Sequence, residues 1–434
     1  MTAVPRILVV GSGGREHALV RALHESPEHP ALFVAPGNPG MESLATRVPI
    51  AVSDVPALVN WAKRERPDLV VVGPELPLTL GIADELSATA IPVLGPGKAA
   101  ARLESSKSFA KMTLERLSLP TAPFRIAHSA EEAQRIMAGA NYPLVLKADG
   151  LAAGKGVVIA RTESEALETV NSWMTEGTLG ESGKTVVMEE CLDGEETSLL
   201  VLTDGERWVL FPPARDHKRA LDGDRGPNTG GMGACAPARV PSDQDAIAIT
   251  KRIVDPLLAD FRAAGTPYRG ILYLGLMLTA RGPMVLEFNA RFGDPETQAV
   301  LPLVEEGLYP LFLAAARGSL PAERHGTFVE HAGAAVCVVL AARGYPGAPE
   351  AGQVIEGLDR PFPHGIRIDY AGVDRIGSRL VTGGGRVLGV TARAETLARA
   401  REAAYEAVSW IRFDGMQYRK DIAVQALQSG STKP

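Results

Sequence analysis

The chain has 434 residues, 45% hydrophobic and 22% charged, with a formal net charge of −6; at roughly 100–200 residues per domain this makes two to four domains of ordinary globular composition. The acidic balance argues against a protein that binds duplex nucleic acid, which needs a basic field, although a local cleft on an acidic protein can still be positive. Aromatic residues are 5% while Gly (45) and Pro (32) are plentiful, a mix that suits turns and phosphate-contacting loops better than base-stacking platforms.

RILVVG (6–11) is an apolar run closed by glycine and reads as a buried parallel strand. A helix from about Glu16 to Glu25, a strand at Leu32–Ala35, a helix at Asp54–Arg66 capped by Asp54, a strand at Asp68–Gly73, a helix at Gly81–Ala88 and a strand at Ile91–Gly95 follow. Strand–helix alternation implies a doubly wound parallel sheet over residues 1–104. A helical stretch at Ser106–Leu117 opens a central region, 105–325. Its small α+β lobe (about 123–192) has strands at Pro143–Ala148, Gly156–Ala160 and Thr185–Glu190 and helices at Ala130–Ala138 and Ser164–Thr175. A larger lobe follows, with strands at Glu196–Thr203, Arg207–Pro212, Gly270–Leu278 and Pro283–Asn289. AAVCVVLAA (334–342), strands at Arg367–Tyr370 and Arg386–Thr391 and a helix from Glu395 to Ile411 make a small α+β C-terminal domain, 326–427. The fold class is therefore multidomain, α/β followed by α+β. Cys191, Cys235 and Cys337 lack metal-ligand spacing and are too few for a disulfide framework. With no signal-peptide layout and no apolar run of ~18–20 residues, a reducing cytoplasmic setting without a membrane span is expected.

Five segments carry chemistry. Gly11-Ser12-Gly13-Gly14-Arg15-Glu16-His17 follows a strand and opens a helix, where N–H groups and the helix dipole favour an anion. A dinucleotide fingerprint needs glycine where Glu16 stands and an acidic residue about 20 positions on, where the chain reads APGNPG (35–40), so NAD binding fails on both counts. A phosphate cradle and a structural tight turn both remain; turns at Gly37-Asn38 and Gly73-Pro74-Glu75, also at strand ends, favour the cradle. Lys147 to Gly156 (KADGLAAGKG) lies between two strands, so it is no Walker loop. Its glycines and flanking lysines suit a flap closing over a triphosphate, against the plainer reading of a surface hairpin. EECLDGEE (189–196) offers an acidic side chain to ribose hydroxyls, and taken alone is equally a solvated turn. In Glu287-Phe288-Asn289-Ala290-Arg291, alternate residues share a face, so Glu287 and Asn289 present two oxygens suited to Mg²⁺ and Arg291 a carboxylate-binding fork. Finally, DHKR (216–219) precedes the glycine-rich GPNTGGMG (226–233), either an anion nest or an ordinary loop.

GSGGREHAL (11–19), FVAPGNPG (33–40), VVGPELPL (71–78), LKADGLAAGKGVV (146–158), EECLDGEE (189–196), DHKR (216–219), GPNTGGMGA (226–234), EFNARFGDPETQ (287–298), VLAARGYPG (339–347) and GGGRVLGVTA (383–392) resemble, in order and over the whole chain, the motifs of the glycinamide ribonucleotide synthetase family, within the ATP-grasp superfamily. The resemblance implies an ATP-grasp central region and ATP-dependent ligation of glycine to 5-phosphoribosylamine through glycyl phosphate, in a stand-alone cytoplasmic enzyme of purine synthesis, a monomer or weak homodimer. It implies that Lys107 and Lys147 hold the α/β-phosphates and that Gly150, Gly154, Lys155 and Gly156 close over β/γ. Glu189, Glu190 and Leu192 would frame adenine, Glu195 the ribose, and Glu287 and Asn289 Mg²⁺ or Mn²⁺. Arg291, with Asp216 and Asp294 nearby, would hold glycine. Lys147 and Asp216 join Arg291 as catalytic candidates. Gly13, Gly14, Asn38, Gly73, Pro74 and Glu75 would line the phosphoribosylamine pocket, with Lys218, Thr229, Gly230 and Gly231 also touching substrate. Many ATP-grasp enzymes carry an acidic metal ligand on the preceding strand; here that strand reads Gly275-Leu276-Met277-Leu278, leaving a second metal to phosphate and water. Two rival readings are an ATP-grasp ligase for another amine and a nucleotide-binding module without turnover.

Overall fold

The computed structural model describes residues 4–151, 156–238, 240 and 242–430. Five parallel strands open it: β1 (Arg6–Gly11), β2 (Ala31–Pro36), β3 (Thr46–Arg47), β4 (Leu69–Val72) and β5 (Val93–Leu94), in the order β3-β2-β1-β4-β5. Ile7 and Val9 enter one apolar cluster and Leu8 and Val10 another. Burial on both faces is why β1 reads as an unbroken apolar run. The strand order diverges between β1 and β4, so the turns after Gly11 and Val72 lie side by side at the switch point, where open sheets take ligands. Asp54 caps the helix Val55–Glu65, accepting from Ala57 N at 3.1 Å. The helix expected at 81–88 is present as Ile82–Ser87, and a further helix, Glu75–Leu80, precedes it, ended by Gly81 with a left-handed φ of 95°. Glu75 thus opens a helix, pointing from the switch point.

Helices Lys98–Ser105 and Lys107–Arg116 lead into the small lobe, Ser106 capping the second at Phe109 N (3.1 Å). The lobe is an antiparallel sheet of β6 (Phe124–Ala127), β7 (Leu144–Ala148), β8 (Val157–Ala160) and β9 (Val186–Glu190), ordered β6-β9-β7-β8. Helices Ala130–Met137 and Glu163–Val170 cover it; the second continues as a π turn, Asn171–Thr175. Its buried core runs only from Ala127 to Met188 and merges with no other.

The large lobe contains β10 (Glu195–Thr203), β11 (Trp208–Leu210), β12 (Arg215–Asp216), β13 (Arg219–Leu221), β14 (Arg225–Asn228), β15 (Gly233–Ala236), β16 (Gly270–Thr279), β17 (Gly282–Asn289) and β18 (Thr327–Phe328). Its main sheet is β17-β16-β10-β11-β18, backed by the 21-residue helix Asp243–Ala263. The stretch expected as an open glycine-rich loop from Gly226 begins instead as β14, paired with β13. The C-terminal strands are β19 (Ala334–Ala341), β20 (Ile366–Tyr370), β21 (Val373–Ile376), β22 (Arg379–Thr382) and β23 (Arg386–Ala394). They form the sheet β12-β15-β19-β23-β20 and the hairpin β21–β22. Asp216 on β12 is thereby built into the C-terminal sheet, while Glu287 and Asn289 stand on the large-lobe sheet.

Candidate active site

Between the lobes lies a cavity of about 560 Å³. It is lined by Lys107, Lys147, Gly150, Gly156, Glu189, Asp216, Lys218, Thr229, Gly230, Glu287, Asn289, Arg291, Asp294, Pro74 and Glu75, most of the residues singled out above. Gly154 and Lys155 lie outside the described residues.

At one end, β7 and β8 pair antiparallel with Lys147 opposite Val157, so the glycine-rich segment leads from one paired strand to the next and does not open a helix. Lys147 Nζ donates to Leu286 O (2.8 Å) and pairs with Glu189 Oε1 (2.9 Å). Lys107 Nζ donates to Gly150 O at 2.8 Å. Glu189 Oε2 meets Lys111 Nζ at 2.6 Å, so one buried carboxylate bridges two lysines. Burial lowers Lys111 to about 8 against the pull of Glu189, and lowers Lys107 against Glu287. Lys111 is one helical turn beyond Lys107 on the same helix, a spacing that brings side chains together; that signal was available in the sequence. Apolar Leu103, Ala110, Leu114, Val157, Leu286 and Phe288 also line the cavity. Glu190 ends β9, Leu192 lies on the connection to β10 and Glu195 begins β10; none is among the cavity's lining residues. Glu190 pairs with Arg281 (2.7 Å).

In the middle, Lys218 Nζ lies 3.1 Å from Glu287 Oε1 and 3.4 Å from Glu196 Oε2. Lys218 above all holds Glu287 ionised, down to about 2, against its burial. Burial, and then Glu296, raise Asp216 well above the usual carboxylate range; its Oδ1 is buried and has no hydrogen-bond partner.

At the far end the pairs are arginine–carboxylate. Arg291 binds Glu104 Oε1 (Nη2, 2.7 Å) and Glu75 Oε2 (Nε, 3.3 Å). Burial works against the Arg291 charge, but Glu104 and Glu75 hold its pKa above the ordinary value. Burial raises Glu104 to about 7 although Arg291 opposes it. Asp294 pairs with Arg386 Nη2 (3.1 Å), and Arg386 also donates to Asp294 O (2.7 Å). Tyr345 Oη accepts from Gly230 N at 2.9 Å. Arg15, Glu104, Lys111, Glu296, Tyr345 and Arg386 all line the cavity, and none was picked out by spacing. Glu104 and Arg386 are far in sequence from what they bind, so no local pattern marks them.

The glycine turn after β1 is occupied from within. A Cβ on Gly73 would fall 2.2 Å from Glu16 Oε1, and one on Gly11 (φ 136°) 2.3 Å from Glu16 Cγ. Gly13 N–H donates to Glu16 Oε2 at 2.6 Å, and Arg15 Nε to Oε1 at 2.5 Å. The absent side chains make room for a buried glutamate, and the Gly13 N–H is already spent. Asn38 is likewise committed: its amide donates to Ser12 O (2.8 Å) and Tyr370 O (2.7 Å) and accepts from Gly40 N (2.9 Å). Gly13, Gly14, Asn38, Gly73 and Gly231 are not among the lining residues; Pro74, Glu75, Thr229 and Gly230 are.

Three family models match the chain in order: the phosphoribosylglycinamide synthetase N domain (residues 5–104), its ATP-grasp domain (105–297) and its C domain (335–425). A phosphoribosylamine–glycine ligase of Caulobacter vibrioides is 47% identical, over 97% of this chain and 98% of that one. The trifunctional purine biosynthetic protein adenosine-3 of Homo sapiens is 43% identical over 97% of this chain and 42% of its own length. The crystal structure of phosphoribosylamine–glycine ligase from Thermotoga maritima superposes with a TM-score of 0.83 at 38% identity, covering 96% of this chain and all (100%) of that one. The biotin carboxylase domain of Hydrogenobacter thermophilus 2-oxoglutarate carboxylase, solved with MgADP, shares the fold at 17% identity (TM-score 0.73; 95% of this chain, 91% of that one). With full-length relatives well above 30% identity and all three domain models filled in order, the chain belongs to the phosphoribosylglycinamide synthetase family.

Proposed function

We propose the following division of labour for the ATP-dependent joining of glycine to 5-phosphoribosylamine, the step of purine biosynthesis that this chain catalyses. A carboxylate is a poor acyl donor until one of its oxygens belongs to a leaving group. The glycine carboxylate attacks the γ-phosphorus of ATP, giving glycyl phosphate and ADP. The amine of phosphoribosylamine then attacks the glycyl carbonyl, and phosphate departs with the C–O bond electrons while the amine loses a proton. Such catalysis is mostly positioning and charge neutralisation.

Lys107 and Lys147 take the triphosphate, with the 150–156 segment, including Gly154 and Lys155, closing over it. The apolar patch from Leu103 to Phe288 suits the adenine face. The backbone of Glu190 and Leu192 and the carboxylate of Glu195 would be brought to the base and ribose when the small lobe closes; its separate core supports such a motion. Among the described lining residues, seven basic side chains (Arg15, Lys107, Lys111, Lys147, Lys218, Arg291, Arg386) meet seven acidic ones (Glu75, Glu104, Glu189, Asp216, Glu287, Asp294, Glu296). Burial keeps Asp216 and Glu104 from acting as full negative charges, so the cleft favours the triphosphate only in part, and a divalent countercharge would offset the rest. Mg²⁺ or Mn²⁺ fits. Glu287 is held ionised, and in the orientation that satisfies its neighbours the Asn289 amide nitrogen donates to Glu104 (3.1 Å) and Phe288 O (3.3 Å), so its oxygen faces the other way. Among the described residues no group of three or more His, Cys, Asp or Glu could hold a metal, so phosphate and water would complete the shell. When bound, the cation offsets charge on the transferring phosphoryl group.

Arg291 holds the glycine carboxylate, and the unpartnered Asp216 Oδ1, with Asp294 nearby, receives the glycine ammonium. Pro74 and Glu75 wall the phosphoribosylamine side, backed by Gly13, Gly14, Asn38 and Gly73; Lys218, Thr229, Gly230 and Gly231 border the transferred phosphate. The same reading divides the chain at residues 104 and 325 and has it act in the cytoplasm, as a monomer or weak homodimer without nucleic acid. Its main support is that Lys107, Lys147, Glu287, Asn289 and Arg291 share one cavity. ADP release should require glycine and phosphoribosylamine together; release driven by another amino acid contradicts the assignment.

A further inference from the structure

Glu104 is the penultimate residue of helix Lys98–Ser105, just ahead of the ATP-grasp region, and is 8% exposed. Its carboxylate serves three consecutive residues at the end of β17. Oε2 accepts the Ala290 N–H at 2.7 Å. Oε1 lies 2.7 Å from Arg291 Nη2 in an ion pair and, in the Asn289 amide orientation that satisfies its neighbours, accepts from the amide nitrogen at 3.1 Å.

A carboxyl oxygen that carries no proton can only accept hydrogen bonds. Facing Asn289, it selects the NH₂ side of the amide and turns the oxygen away. An arginine has five N–H donors in a fixed fork. Here Nε donates to Glu75 Oε2 and Nη1 to Phe292 O, while Nη2 makes an ion pair with Glu104 Oε1. The guanidinium is thereby held on three sides, with donors to spare on its terminal nitrogens for a carboxylate ligand. Arginine has much rotamer freedom to lose, and the anchor that removes it comes from the first domain, not from β17 itself.

We propose that Glu104 is a positioning residue of the ligation, fixing the metal-facing amide of Asn289 and the glycine-facing guanidinium of Arg291 in a single register. This rests on the roles given above to Asn289 and Arg291. The two ends of the reacting system, the cation on the phosphates and the carboxylate that attacks them, are then aligned by one group touching neither.

The test is steady-state kinetics and thermal melting of Glu104→Gln, Arg291→Met and the double variant. Glu104→Gln keeps the shape and an acceptor for Ala290 N, but loses the charge facing Arg291. The KM for glycine should rise about ten-fold and kcat fall about ten-fold, with the KM for ATP within about two-fold and little change in Tm. Because Glu104 acts in part through Arg291, adding Glu104→Gln to Arg291→Met should cost clearly less than the sum of the two single losses. Wild-type glycine KM and kcat in Glu104→Gln overturn the proposal. So do equal shifts in the KM values of ATP and glycine, or full additivity with Arg291→Met. Should Glu104→Gln misfold, Glu104→Asp, charged but one methylene short, must show the same glycine-weighted loss; unchanged kinetics overturn the proposal there too. A normal glycine KM in Arg291→Met contradicts the assignment of Arg291 itself, which separates that failure from this one.

Discussion

The two ends of the cleft are built on different principles. The end proposed for the triphosphate is made by the small lobe and its lead-in helix: Lys107, Lys111 and Lys147, steadied by backbone carbonyls and Glu189. The end proposed for the acceptor draws Arg15, Glu75 and Glu104 from the first domain, Asp216, Arg291 and Asp294 from the centre, and Tyr345 and Arg386 from the C-terminal region. There, nearly every charge already has a partner. Lysines are mobile point charges that follow a phosphate as a lobe closes. Interlocked arginine–carboxylate pairs add little net stability, but removing one member leaves a buried charge uncompensated. One end is thus suited to move and the other to hold geometry.

Changes at the junction and at each end should separate these behaviours. Glu287→Ala, where the ends meet, should lower turnover by about 10³-fold or more while the thermal melt stays cooperative; an active variant breaks the metal assignment. Arg386→Met strands Asp294 at the acceptor end. It should reduce kcat/KM for glycine and phosphoribosylamine about 10²-fold, leave ATP affinity near normal and lower stability by about 3 kcal/mol in urea titration. Loss confined to ATP would reverse the contrast. Lys147→Ala should weaken ATP binding about ten-fold in calorimetry, with the fold kept because Lys111 still pairs Glu189; unchanged affinity removes Lys147 from the site.

The smallest effect is at the seam behind the acceptor end, where His17 Nδ1 accepts from Tyr370 N at 2.8 Å. Burial, helped by Arg21, lowers His17 from 6.5 to about 3. Below pH 6.5 the unfolded chain takes up a proton that the folded chain refuses, so the contribution of His17 is full above 6.5 and is lost on acidification. The stability gap between wild type and His17→Gln should therefore shrink by about 1.4 kcal/mol per pH unit below 6.5. A gap constant from pH 7.5 to 5 contradicts the buried neutral imidazole.

The same contrast governs what could be read from the sequence. The triphosphate end is local. Lys147 and its glycine segment lie in one stretch between paired strands, and the two-residue period of β17 puts Glu287 and Asn289 together. The acceptor end depends on long-range pairing: Glu104 meets Ala290, and Arg386 meets Asp294, through contacts that no spacing encodes. Strands as short as Arg215–Asp216 carry too little pattern to be seen, and the long helix Asp243–Ala263 contains Pro256, which interrupts its backbone bonding. The glycine turn could be read in two ways for a physical reason. Bare glycines suit an anion from outside or a side chain from inside, and Glu16, standing where a dinucleotide fingerprint requires glycine, takes the second course.

The most direct measurement is a crystal structure of the enzyme with Mg²⁺, a non-hydrolysable ATP analogue and glycine. Triphosphate oxygens should lie about 3 Å from the Lys107 and Lys147 ammonium groups, with the cation on Glu287 and Asn289 and the glycine carboxylate on Arg291. A triphosphate bound away from these residues would contradict the account at its centre.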